Sequence, residues 1–123
     1  MIRFITYLLL PLPIVAQVRW KAEYAELPKE VQDWYLAQKL TPEAQRRFNF
    51  VSCCGKSDTV KTQFRVTKSN GYDEWWWLNK ANKWERVPDD VIHWGEATPT
   101  GEAILFTTYD GNPTCFYPPQ SGN

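Results

Sequence analysis

The chain has 123 residues, enough for one domain and too few for two. It is 43% hydrophobic and 23% charged, and its 14 basic residues balance 14 acidic ones. That balance excludes the basic stripe that nucleic-acid binding needs and the polybasic segment that an anionic membrane surface attracts. The aromatic content is the departure from the ordinary: seven Trp, six Tyr and six Phe. Each such ring buries a large area, so a short chain can build its core from few of them.

The N-terminal segment comes first. Arg3 is the only charge before Arg19, and Phe4 to Ala16 reads FITYLLLPLPIVA. A basic start, an apolar stretch of roughly 7–15 residues and a small residue before the cut are the parts of a secretory signal peptide. The reading is a signal peptide over residues 1–16, cut after Ala16, and an exported chain that is periplasmic or secreted. Cleavage removes Arg3, leaving 13 basic residues against 14 acidic, a net of −1. Ile14 is larger than the residue usual at its place, which keeps an uncleaved anchor as the alternative. Pro11 and Pro13 argue against a buried N-terminal helix or strand. The run also falls short of the roughly 20 apolar residues that span a bilayer, so no span is expected after cleavage.

Residues 17–52 read as helical. Leu27, Val31, Trp34, Tyr35 and Gln38 follow the spacing of one helical face, and Pro28 suits a first turn, where its missing N–H costs nothing. Thr41-Pro42-Glu43 repeats the start signal, with Thr41 as N-cap, Pro42 at the first helical position and Glu43 at the positive end of the dipole. Arg46 and Arg47 then close the second helix on a solvated face.

Residues 53–119 read as strands. Turn signals at Ser69-Asn70-Gly71, Lys80-Ala81-Asn82, Pro88-Asp89-Asp90, Thr98-Pro99-Thr100-Gly101 and Asp110-Gly111-Asn112-Pro113 separate short β-prone runs. Strands at such spacing predict a small antiparallel sheet, or an SH3-like partly open barrel, of about five strands. With the helices, this makes the fold class α+β. Residues 120–123 are a polar tail expected to be disordered.

The hairpin around Ala81 can be registered from sequence. A loop centred there sets Leu78 opposite Trp84, Trp77 opposite Glu85, Trp76 opposite Arg86 and Trp75 opposite Val87. Alternation then puts Trp76, Leu78, Trp84 and Arg86 on one face, and Trp75, Trp77, Glu85 and Val87 on the other. Three consecutive Trp cannot all point inward on a one-sided sheet. Either the helices cover the second face, or at least one indole is exposed and forms a platform, with Arg86 able to sit over Trp76.

Three cysteines are present: Cys53, Cys54 and Cys115. An exported chain defaults to a structural disulfide. The adjacent pair is too close to bond to itself without strain, so Cys53 or Cys54 is expected to bond Cys115. The leftover thiol is either buried filler or a reactive group that could link two copies. A dyad of that thiol with His93, the only histidine, has the right residue types but none of the flanking signatures of catalytic cysteines. A zinc site from Cys53, Cys54, Cys115 and His93 also has the right types, yet the adjacent cysteines lack the usual gap. Asp89 and Asp90 read as turn residues rather than paired carboxylates. No phosphate loop, Ser elbow or zinc helix is present, so no catalytic residue, metal or cofactor is expected.

Cys53-Cys54 with Asp58, Trp84-Glu85-Arg86-Val87-Pro88, Pro99-Thr100-Gly101, and Cys115-Phe116 before Pro118-Pro119 give the chain a recognisable pattern. It resembles a group of small uncharacterised secreted proteins of bacteria and phages. They share Cys-Cys-x-x-x-Asp, Trp-x-x-Val-Pro and Cys-Phe-x-Pro-Pro, usually behind a signal peptide. The resemblance covers about half the chain, from Cys53 to Pro119. Some members carry a further Cys in the strand before the last, where this chain reads Ala103-Ile104-Leu105-Phe106. The resemblance implies an architecture and no mechanism.

The functional expectation is a non-enzymatic exported module that binds a partner protein, an envelope component or a small ligand. Trp75, Trp76, Trp77, Trp84, Arg86 and Trp94 are its candidate contacts, since Trp and Arg dominate hot spots. The alternatives are a structural or assembly protein with every aromatic in the core, and a thiol-redox enzyme using Cys53 or Cys54.

Overall fold

The computed structural model describes residues 26–120. The expected signal segment, with its expected cut after Ala16, and residues 121–123 lie outside them. Among the described residues the fold is α+β, with two short helices and six strands, all paired antiparallel.

Helix α1 runs Lys29–Ala37 and α2 runs Pro42–Phe48. Within residues 26–33, Lys29 Nζ meets Asp33 at 3.1 Å across one turn, and Gln32 Nε2 donates to the Leu27 carbonyl at 2.8 Å. The start of α2 matches its sequence signal. Thr41 caps it, its Oγ1 accepting from the Ala44 N–H at 3.1 Å, with Pro42 in the first turn. Asn49, at φ 64°, ends it in the left-handed conformation. Arg47 forms a two-pronged bond to Asp90, at 2.6 and 2.8 Å, and the Thr41 hydroxyl donates to the Asp90 carbonyl. Helix α2 is thereby tied to a short 3₁₀ turn, Asp89–Val91. Asp89 instead meets Arg86 at 3.1 Å. The two neighbouring carboxylates thus serve different arginines, as turn residues would.

The strands form two three-stranded sheets. The first has the order β1 (Ser57–Thr59), β5 (Ile104–Thr108), β6 (Pro113–Tyr117). The second has β2 (Phe64–Ser69), β3 (Tyr72–Leu78), β4 (Trp84–Arg86). The β2–β3 turn is the two-residue Asn70-Gly71, with φ of 53° and 83°, the pair of positive values that a type I′ hairpin requires. The β3–β4 loop is held by Asn79 Oδ1, which accepts from the N–H groups of Ala81 and Lys83 at 3.0 and 3.1 Å. Its register sets Leu78 opposite Trp84, Trp77 opposite Glu85 and Trp76 opposite Arg86, as the sequence predicts. The Val87 N–H continues the ladder to the Trp75 carbonyl at 2.8 Å.

The core lies around β5 and β6. Leu105, Phe106, Cys115, Phe116 and Tyr117 are fully buried. Side chains alternate along β6. Tyr117 meets Trp34 of α1 at 4.9 Å between ring centroids, while Phe116 meets Phe64 at 5.4 Å and Trp75 at 5.6 Å. Phe116 therefore joins the two sheets. The outer edge of β6 is covered by Ile92 and His93: Ile92 pairs with Phe116, and the His93 N–H donates to the Phe116 carbonyl at 2.8 Å. The segment before Cys53 is pinned by the Leu40 N–H to Val51 carbonyl bond at 2.8 Å and the Cys53 N–H to Gln38 carbonyl bond at 3.0 Å. Cys53 is bonded to Cys115 across 62 residues of sequence, and Cys54 is free.

Candidate functional site

The six candidate contacts separate into three groups: two face the core, three lie on the outer face of a sheet, and Trp94 stands in a turn. Trp75 and Trp77 face the core: Trp77 is 2% exposed, and Trp75 is half-buried against Phe116. Trp76, Trp84 and Arg86 have the opposite parity and lie on the outer face of the β2–β3–β4 sheet. The helical aromatics do not cover that face. Trp34 and Tyr35 meet Tyr117 and Phe106 of the first sheet, and α2 is tied to the 3₁₀ turn.

The outer face is a laced surface. Trp76 Nε1 donates to Thr67 Oγ1 at 2.9 Å. The guanidinium over an indole is that of Arg65, 4.1 Å from the Trp84 ring centroid, and not Arg86 over Trp76. The physical reason is competition. Arg86 has two carboxylates in reach, Glu74 at 3.6 Å and Asp89 at 3.1 Å, and a charged partner holds it better than a ring does. Arg65 was missed as a contact residue, although its alternation with Phe64 in the run VKTQFRVT places it on the polar face.

Trp94 sits apart from the sheet, in the turn after His93, and is 51% exposed. It nevertheless borders the same groove as Arg86, a depression of about 690 Å³ that also takes in Tyr72, Asp73, Glu74 and Asp89. A second groove, of about 240 Å³, shares Trp94 and Asp73 and extends to Pro118 and Gln120. Trp94 thus lies at the border of two depressions. Tyr72, 76% exposed beside the hairpin turn, is the second aromatic there. It had no sequence signal beyond its place after Asn70-Gly71. The charges in the groove are mutually paired, with Lys68 meeting Asp73 at 2.5 Å beside the Arg86 network. The site therefore offers aromatic faces and oriented hydrogen-bonding groups more than net charge.

The cysteine region is different in kind. Cys53 Sγ, Cys115 Sγ and a ring nitrogen of His93 lie within 4.8 Å of one another, all buried. The His93 ring is stacked on Tyr117, centroids 4.2 Å apart at 11°, and its Nδ1 bonds Glu96 Oε2 at 3.0 Å. Its Nε2 is buried without a hydrogen-bond partner. The Tyr117 hydroxyl donates to Gln38 Oε1 at 2.7 Å, and burial pushes its pKa well above the usual phenol value, aided by the Glu96 carboxylate. Cys54 is half-buried, and burial, then the Asp58 carboxylate, raises its thiol pKa. A thiol so held is mostly protonated at neutral pH, the opposite of what a nucleophile needs.

No family model, curated protein or solved structure matches the chain.

Proposed function

We propose that this chain is an exported binding module, and that its partner, a protein or envelope component, seats on the outer face of the β2–β3–β4 sheet and the adjoining Trp94 groove. The observation that carries the reading is the half-exposed Trp94 beside exposed Tyr72, in one groove with Arg86. Large aromatics left in water next to an anchored guanidinium are the residue types that dominate binding hot spots. The Arg65–Trp84 stack and the Trp76–Thr67 bond hold the neighbouring surface in one geometry, which limits the ordering cost of binding.

Export is supported by the signal-like residues 1–16 and by the Cys53–Cys115 disulfide, a bond that persists in oxidising compartments. No helix among the described residues is long and apolar enough to cross a membrane. A thiol enzyme is disfavoured by the raised Cys54 pKa.

The test is co-sedimentation of the purified chain with isolated cell envelopes, against Trp94→Ala, Tyr72→Ala and Arg86→Ala variants shown by circular dichroism to be folded. Wild type should sediment, and each variant should lose roughly tenfold or more in apparent affinity. Equal sedimentation of all four chains, or none by wild type, would reject this surface as the site. In the latter case the assembly reading, with its aromatics serving the core, gains.

A further inference from the structure

We propose that the reduced chain holds one zinc ion between Cys53 Sγ, Cys115 Sγ and a ring nitrogen of His93. The Cys53 segment can then be closed onto β6 by a metal as well as by a disulfide. This inference does not depend on the binding surface proposed above.

Four observations carry it. The three donor atoms lie within 4.8 Å of one another. In the oxidised chain the two sulfurs are joined to each other; once reduction breaks that bond they can part, and one ion at the usual distance of about 2.0–2.3 Å from thiolate and imidazole reaches all three. Cys53 and Cys115 are fully buried and His93 is 6% exposed, so the site is closed to competing solvent. His93 Nε2 is buried with no hydrogen-bond partner, a cost that a ligated ion would remove. Finally, the ring is already oriented: Nδ1 is engaged by Glu96, the face by Tyr117 and the backbone by Phe116. A carboxylate on the distal nitrogen is the usual support of a zinc-bound imidazole.

The charge balance suits the core. Two thiolates, a neutral imidazole and a divalent ion sum to zero, whereas an unpaired buried charge would be costly. Three protein ligands leave the fourth tetrahedral position for a small non-protein ligand. The lack of a gap between Cys53 and Cys54, which argued against zinc in the sequence, has no bearing on this arrangement. It takes Cys53 alone, with Cys115 from β6 and His93 from the segment paired to β6.

The dithiol is the state of the chain before oxidation, and it can be restored by a trialkylphosphine. The S–S bond breaks, the phosphine is oxidised to its oxide with oxygen from one water, and that water's two protons leave both sulfurs as thiols. The ion then displaces those two protons.

The full chain, reduced in this way without oxygen, is titrated with cobalt(II) as a spectroscopic probe and then with zinc. One cobalt per chain should bind, with thiolate-to-cobalt charge-transfer absorption that zinc abolishes, and Cys54→Ser should behave as wild type. The unreduced chain should show no such bands. His93→Ala should weaken cobalt binding roughly tenfold or more. His93→Phe keeps a ring against Tyr117 and should show the same loss if the alanine variant misfolds. No stoichiometric binding by the reduced chain would overturn the proposal. So would equal binding by the folded His93 variant, or loss in Cys54→Ser, which would assign the ion to the neighbouring cysteine pair.

Discussion

The two sheets have three strands each and are built on opposite plans. In the β1–β5–β6 sheet, every residue of β6 and four of five in β5 are buried, because both faces are covered. Trp34 and Tyr35 lie on one side, and Phe64 and Trp75 on the other. In the β2–β3–β4 sheet, Trp77 is the only buried strand residue. One sheet supplies the core. The other lends it a single face, through Phe64, Trp75 and Trp77, and presents the second face to water. A Trp-rich segment is therefore not one feature but two: alternate indoles of the same strand stabilise the fold and display a surface.

If that division is right, the largest effect should follow removal of the ring that both sheets share. Phe116→Ala should cost about 3–5 kcal/mol, read as a shift in the urea midpoint, because Phe116 fills the space between Phe64 and Trp75. A cost near 1 kcal/mol would mean that the sheets do not share a core. Replacing Cys53 and Cys115 together by alanine should cost about 4 kcal/mol, the entropy of closing a loop of 62 residues.

A pH experiment sharpens the same point from the buried side. The Tyr117 pKa is raised in the folded state by burial first and by Glu96 second. The folded chain therefore keeps the phenol proton where the unfolded chain has lost it. Its contribution is fully present below the unfolded value of about 10 and falls as pH rises through it. The urea midpoint should decline from about pH 10 upward, and Tyr117→Phe should flatten that decline. An identical decline in the variant would place the alkaline sensitivity elsewhere. On the exposed side the effects should be small. Arg65→Ala removes the stack on Trp84 and should cost about 0.5–1 kcal/mol.

What was legible in the sequence was local. The Thr41 cap, the Asn70-Gly71 turn and the Leu78–Trp84 register each rest on chemistry within a few residues of chain. The parity of Trp75, Trp76 and Trp77 was legible too, but not which parity faces inward. That is decided by Phe116, some forty residues away. The pairing of Ser57 with Thr108, which makes two sheets of the strands, has the same long-range origin. Cys53 and Cys54 are indistinguishable by spacing; Cys53 is chosen because its backbone is held by Gln38 and its side chain turns to Cys115. His93 reaches that bond through the Phe116 carbonyl, a main-chain contact with no side-chain signature.

The smallest effect tests the contrast at its weakest point, the free Cys54. If chemistry belonged to the cysteine region, this thiol would be the group to use. Burial and the Asp58 carboxylate both disfavour its thiolate, and attack on an alkylating agent requires the thiolate. In the folded chain Cys54 should therefore react more slowly than a peptide thiol at pH 8, with a rate that keeps climbing past the ordinary thiol pKa of about 8.5. Cys54→Ser should shift the urea midpoint by no more than about 1 kcal/mol. Mass spectrometry after timed iodoacetamide treatment measures the rate directly. Alkylation faster than the peptide reference would reverse the division of labour: reactivity would then lie beside the disulfide, and the exposed aromatic face would lose its claim to be the working surface.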